Sequence, residues 1–147
     1  MTRKGKVIEM PFNLKNLNPA TRFYWGAGEE EWVDLRLVTD EAQNKIRREC
    51  GIKLKSEYKT DKNGRPVRIE FMDSSDEMIT RFNDLLNDFA IEDWHLSDNE
   101  GNPIPCTAEN KKILIGGHPP FSFWVAEKLK ELKEQATGLK KEELGNL

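Results

Sequence analysis

Two histidines and two cysteines are the side chains of this sequence best suited to chemistry, and their surroundings decide what they could do. His95 follows Glu92 and Asp93, which places two carboxylates beside an imidazole, as in part of a metal site or an acid–base pair. A metal site needs further ligands at regular spacing, and the sequence has no His-x-x-x-His pair. His118 lies between two glycines and two prolines, which is typical of a loop. We therefore predict that neither histidine binds a metal or takes part in catalysis.

The cysteines, Cys50 and Cys106, lie far apart in the sequence, and neither belongs to a Cys-x-x-Cys pair. A disulfide is uncommon in a cytoplasmic chain, and a free cysteine behaves as a small apolar side chain. We predict two free thiols packed in or near the core.

The glycine pairs do not complete a phosphate-binding loop. Neither Gly26-x-Gly28 nor Gly116-Gly117 is followed by a Lys-Ser/Thr pair or by the third glycine of a nucleotide-binding turn. The sequence also lacks the Gly-x-Ser-x-Gly motif of a serine nucleophile. These patterns predict a protein that is not an enzyme and has no cofactor.

Composition narrows the class of protein further. The chain has 147 residues, the size of one domain, and 23 basic side chains nearly balance 26 acidic ones for a net charge of −3. Nucleic-acid-binding domains are normally basic, so this balance argues against that class. No apolar run is long enough for a transmembrane helix, and the N-terminus does not resemble a signal peptide. We therefore predict a cytoplasmic protein with no nucleic-acid or membrane partner.

Alternating apolar and polar residues predict strands near 32–38, 52–59 and 66–71, which we expect in one small antiparallel sheet. The Asn63-Gly64 pair between the last two strands predicts a hairpin with a type I′ turn. The basic side chains of this hairpin alternate with Glu57, Asp61 and Glu70. That mixture indicates an edge protected against strand aggregation more than a phosphate-binding stripe.

Apolar residues at helical spacing predict helices near 40–50, 75–90, 107–115 and 119–136, and a Trp94-bearing hairpin lies between the second and third of these. Capping boxes are expected at Asp40 with Gln43 and at Ser74 with Glu77. Thr107 is expected to cap the third helix, and Pro119-Pro120 to open the fourth. The fold class predicted by these elements is α+β.

One domain is expected over residues 21–137, because no flexible linker divides that range. Residues 1–20 lack periodicity and predict a weakly ordered arm, and the mixed-charge residues 138–147 predict a flexible tail.

Four tryptophans are many for a domain of this size, since each either anchors a core or anchors a partner. We expect Trp94 and Trp124 in the core, with exposure to a partner as the alternative, and Trp25 facing either a partner or the core. The residues predicted to bind a protein partner are Trp25, Phe121, Trp124, Leu129 and Leu132.

The segment from Phe82 to about Leu132 resembles the tail assembly chaperones of tailed bacteriophages and prophages. The resemblance covers about a third of the chain and lies in an order of elements: apolar helix, aromatic strand, turn, cap and final helix. The residues that carry it are Asn87 to Ile91, Trp94, Leu96, the turn Asp98 to Gly101, Pro103 to Thr107, Asn110, Leu114, Pro119, Pro120, Phe121 and Trp124.

This resemblance implies a non-enzymatic role with no catalytic residues to transfer. Such chaperones bind the long apolar tape-measure protein and keep it soluble until tail-tube subunits polymerise around it, and they are often also made in a longer, frameshifted form. The expected partner is thus a tape-measure or tail-tube protein, and self-association stays open. Two alternatives remain: a structural virion subunit, such as a minor tail or head–tail connector protein, and a small metal-dependent enzyme.

Overall fold

The computed structural model describes residues 12–145 of the chain, with the side chains of residues 12–138. Its strands are β1 (Thr21–Tyr24), β2 (Trp32–Leu35), β3 (Lys53–Thr60), β4 (Pro66–Asp73), β5 (Ile91–Ser97) and β6 (Pro103–Ile104). Its helices are α1 (Asp40–Glu49), α2 (Asp76–Ala90), α3 (Ala108–Gly117) and α4 (Pro119–Gly145). Both sheets are antiparallel, which confirms the α+β class.

The larger sheet has the strand order β1-β2-β5-β6. In its centre Val33 on β2 lies opposite Trp94 on β5, and both side chains are buried. The same cluster of buried residues includes Phe121 and Val125 from α4, so this helix covers the apolar face of the sheet. Burial of large apolar side chains between a sheet and a helix is the main stabilising term here.

The strands form two sheets, whereas one sheet of β2, β3 and β4 was predicted. β2 instead pairs with β5, and within residues 12–145 β3 and β4 pair only with each other. The physical reason is apolar burial, because β5 buries Ile91, Trp94 and Leu96 and therefore belongs beside the buried strand β2. The hairpin predicted around Trp94 is confirmed as β5–β6.

Strand β2 ends at Leu35, three residues before its predicted end. The pairing with β5 becomes irregular between Asp34 and Leu35. Beyond it, the Arg36 N–H donates to the Ala90 carbonyl, and the Arg36 Nε donates to the Phe89 carbonyl at 2.7 Å. These bonds turn the chain toward the end of α2 and stop the ladder.

The β3–β4 hairpin is present, but its turn is not the type I′ turn that Asn63-Gly64 predicted. Only Gly64 has a positive φ, at 78°, whereas a type I′ turn needs two such residues. The Asp61 Oδ1 accepts from the Asn63 N–H at 2.8 Å, and the φ of Asn63 is not positive. The result is a three-residue loop in which Gly64 forms a bulge.

The helix caps are partly as predicted. Thr107 caps α3 by accepting from the Asn110 N–H, and α4 begins at Pro119, as expected. At α1 and α2 the cap is the neighbour of the predicted residue: Thr39 in place of Asp40, and Ser75 in place of Ser74. Thr39 and Ser75 both have extended φ and ψ. The hydroxyl of each accepts from the backbone N–H three residues later, which is the geometry of an N-cap.

Among the described side chains, the buried apolar residues form two clusters. The first lies between the larger sheet, α3 and α4. The second joins Ile46 of α1, Cys50 at the C-cap of α1 and Ile52 to Phe82 of α2. α2 connects the two regions, because it leads through the buried Ala90 directly into β5.

The two ends of the chain were predicted to be a weakly ordered arm and a flexible tail. Residues 1–11 of the predicted arm lie outside the described residues, and residues 12–20 contain no helix or strand. α4 continues past the predicted end at 136 to Gly145, so the backbone of the predicted tail is helical as far as that residue. None of the helices in residues 12–145 combines the length and the apolar character that crossing a bilayer requires.

Candidate functional site

A cluster of aromatic rings lies where the end of β1 meets the start of α4. The Trp25 ring packs edge-on against Phe121 and Trp124, with ring centres 5.4 and 5.1 Å apart, and against His118 at 6.2 Å. Phe121 in turn stacks on Trp124. The backbone N–H of Trp25 donates to the Glu31 carbonyl at 2.9 Å, which closes the glycine-rich loop after β1.

This aromatic cluster borders a cavity of about 340 Å³, here called the aromatic pocket. Its apolar wall and its polar rim are formed by Trp25, Leu96, Ile104, Leu114, Phe121, Glu31, Ser97, Asp98, Asn99 and His118. Two polar groups at the rim bind the protein's own backbone: the Glu31 carboxylate accepts from the Ser97 N–H, and the His118 Nδ1 accepts from the Phe121 N–H. The pocket therefore suits an apolar side chain better than a charged ligand.

The five residues predicted to bind a partner come together, but they do so within the protein's own core. Phe121 and Leu132 are only 3% and 8% exposed, and Trp25, Trp124 and Leu129 pack half-buried against the same cluster. Among the five, Trp25 and Phe121 line the aromatic pocket. Contact of these five residues with a partner stays a prediction. The large apolar side chains that are exposed to solvent lie at other positions.

The two histidines lie in separate environments. His95 is exposed on β5, where its ring stacks on Trp32 and its Nδ1 lies 2.8 Å from the Glu30 carbonyl oxygen. The neighbouring Asp93 carboxylate accepts from the Trp94 N–H. Over the described residues, no three His, Cys, Asp or Glu side chains are grouped so that they could hold a metal ion.

Both cysteines are free thiols near or in the core, as predicted. Cys50 is buried in the cluster between α1 and α2, and Cys106 is half-buried beside the larger sheet. Burial raises the pKa of the Cys106 thiol above its ordinary value, so this group stays protonated near neutral pH and is a poor nucleophile.

The β3–β4 hairpin is the surface that the sequence analysis missed. Both eight-residue strands are exposed at every position, although they carry large apolar side chains. On β4 three of these form a line on one face, here called the apolar row: Val67, Ile69 and Phe71, which are 42, 36 and 40% exposed. The other face carries Leu54 and Tyr58, which are 60 and 73% exposed.

Charged side chains border the apolar row. Lys59, Glu57 and Lys55 of β3 lie directly opposite Val67, Ile69 and Phe71. The Lys55 ammonium binds the Asp73 carboxylate at 2.8 Å, which lowers the pKa of Asp73. The row is therefore a narrow apolar strip with a charged margin.

Ordinary hairpins of two strands are only marginally stable unless one face packs against something. Here the base is anchored by the buried Ile52, whose carbonyl accepts from the Arg47 guanidinium at 3.2 Å. Beyond that base the strands extend by about 26 Å at the usual rise per residue. Alternation could predict the strands, but it could not show that, among the described residues, nothing covers either face.

Compared with models of protein families, with curated protein sequences and with solved structures, the chain matches none of them.

Proposed function

We propose that the protein is a non-enzymatic binding module that holds an apolar segment of another protein during assembly of a phage tail in the host cytoplasm. The observation that supports this proposal is the apolar row Val67, Ile69 and Phe71 on a hairpin whose two faces are both exposed. Exposed apolar side chains in a line cost solvation free energy, and binding a partner recovers it.

The row matches a regular apolar partner in size. Side chains two residues apart on a strand are about 6.6 Å apart, so Val67 and Phe71 span about 13 Å. An amphipathic helix presents apolar side chains on one face at a comparable repeat of about 5.4 Å. A tape-measure protein is such a helix, which is the partner that the resemblance implies, and the aromatic pocket offers a second recess for an apolar side chain.

Co-expression tests this function. The probe is an apolar helical fragment of the tape-measure protein encoded in the same phage genome, and the measurement is the fraction of that fragment in the soluble phase. We expect the wild-type protein to raise this fraction and the V67T/I69T/F71T variant to lose the effect, because threonine keeps the strand while removing apolar surface.

The matched control is the L54T/Y58T variant, which removes apolar surface from the opposite face of the same hairpin. We expect it to retain the wild-type effect. A cognate fragment that precipitates equally with and without the wild-type protein removes the chaperone proposal.

A structural virion subunit is the second candidate, because the outer edges of the hairpin, which pair with no other described strand, offer strand pairing to neighbours in a ring. Light scattering after size-exclusion chromatography distinguishes the two. A monomer or a dimer agrees with the chaperone, and a closed ring agrees with the virion subunit.

A further inference from the structure

The outer edge of β4 is free along its whole length in the part of the chain that the structure describes. β4 pairs with β3 on one side only, and all its residues from Pro66 to Asp73 are exposed. A free edge of this length is a template for another strand. The question is which strand it suits.

The backbone groups that face this edge follow from the ladder. The Asp61 N–H donates to the Arg65 carbonyl, so these two residues form a hydrogen-bonded pair at the top of the hairpin. Hydrogen-bonded and non-hydrogen-bonded pairs alternate along an antiparallel ladder. The N–H and C=O groups of Arg68, Glu70 and Met72 therefore point outward, to the free edge.

The side chains of β4 are complementary to themselves about Ile69. A twofold axis through Ile69 places each residue opposite the one equally far on the other side. Arg68 then lies opposite Glu70 of the second copy, Val67 opposite Phe71, and Arg65 opposite Asp73. Every charged residue from 65 to 73 thereby meets an opposite charge, and every residue of the apolar row meets an apolar one.

We propose that two copies of this protein associate through β4, antiparallel about Ile69, to form a continuous sheet in the order β3-β4-β4-β3. The outward N–H of Arg68 would donate to the Glu70 carbonyl of the second copy, and the Glu70 N–H to its Arg68 carbonyl. This register satisfies the backbone groups, since the N–H and C=O of both Arg68 and Glu70 face the free edge. The inference is independent of the proposed function, but it joins two apolar rows into one surface on the same side of the sheet.

No other axis on β4 offers the same match. An axis at Arg68 or at Glu70 places a charge opposite itself in the second copy, and like charges directly opposite destabilise a strand pair. On β3 an axis at Tyr58 also matches charges, since Glu57 then lies opposite Lys59 and Lys55 opposite Asp61. That axis does not bring residues of the apolar row together, so we assign the contact to β4.

Charge exchange tests this seam with the protein alone, without any partner. In R68E both positions 68 and 70 are acidic, and in E70R both are basic, so each variant repels itself and complements the other. We expect a concentration-dependent dimer for the wild type and a dissociation constant about tenfold higher or more for each single variant, measured by analytical ultracentrifugation.

A mixture of the two single variants gives the decisive test. We expect an equimolar mixture of R68E and E70R to recover the dimer, and the double variant R68E/E70R to dimerise as the wild type does. The ion pair between Arg68 and Glu70 within one strand, at 3.3 Å, is lost in both single variants and stays lost in their mixture. Recovery of the dimer in the mixture therefore reports the contact between copies. Circular dichroism confirms that each variant is folded.

Three outcomes would overturn the proposal. They are a wild type that stays monomeric up to millimolar concentration, single variants that dimerise like the wild type, and single variants whose mixture stays monomeric.

Discussion

The ammonium of Lys111, near the start of α3, donates to the Asp88 carboxylate at 2.9 Å and to the Asp88 carbonyl at 3.1 Å. The two side chains differ in exposure: Lys111 is 9% exposed and Asp88 is 41% exposed. Because Asp88 lies in the last turn of α2, the cation also meets the negative end of that helix. One buried lysine thus joins α2 to α3.

This difference in exposure predicts unequal costs for removing the two partners. D88A leaves a nearly buried ammonium with a single backbone acceptor, so we expect it to lower the free energy of unfolding by about 2–3 kcal/mol. K111M leaves a carboxylate that water can still reach and fills the space of the lysine stem, so we expect a loss of about 1 kcal/mol or less. Urea unfolding measures both, and the double variant should resemble K111M. A K111M variant less stable than D88A would contradict this account.

A second prediction concerns Trp94, whose indole N–H donates to the Ile104 carbonyl at 2.7 Å. This bond joins strand β5, which carries Trp94, to strand β6, which carries Ile104. W94F should lower the free energy of unfolding by about 2–3 kcal/mol, because the Ile104 carbonyl loses its donor and the smaller phenyl ring leaves space in the core. W124F is the matched control, since Trp124 is half-buried and contributes ring contacts. The prediction fails if urea unfolding shows W124F to be as costly as W94F.

The elements that the sequence predicted are those set by local chemistry. Thr107 is a capping residue directly before a helix, Pro119 suits the first turn of one, and Gly64 supplies the positive φ of the hairpin loop. The caps at Thr39 and Ser75 were predicted one residue away, since adjacent residues in each run have the same capping ability and the backbone angles decide between them.

What the sequence could not predict depends on distant partners. β2 and β3 have the same alternation, but only β2 meets the buried face of β5, so one is core and the other is exposed. Four of the five residues predicted for a partner are apolar at helical spacing on α4, and that pattern is the same for a core and for a binding face. The sequence did not indicate that Lys111 is buried, because a single lysine in a polar run looks the same whether it is buried or solvated.

A third prediction follows from the cap of α3. The Thr107 hydroxyl accepts from the Asn110 N–H at 3.1 Å, and the Asn110 side chain donates to the Pro105 carbonyl at 2.9 Å. T107A should cost about 1 kcal/mol in the free energy of unfolding, because one N–H of the first turn loses its acceptor. T107S keeps the hydroxyl and should cost much less. Thermal unfolding of both variants checks this, and equal losses would indicate that the methyl group, not the cap, is responsible.

The last prediction concerns alkaline pH and Cys106. Burial raises the pKa of its thiol in the folded protein, so the unfolded chain loses this proton first as the pH rises. Above about 8.5, the ordinary pKa of a cysteine, the unfolded state binds fewer protons than the folded state, and stability must fall with pH. Other groups also titrate there, so the useful quantity is the difference between the wild type and C106S, whose hydroxyl does not ionise. In urea unfolding under reducing conditions, the wild type should lose stability relative to C106S between about pH 7 and pH 10. A difference that stays constant over this range would mean that the thiol ionises equally in both states, and that Cys106 is not desolvated by the core it borders.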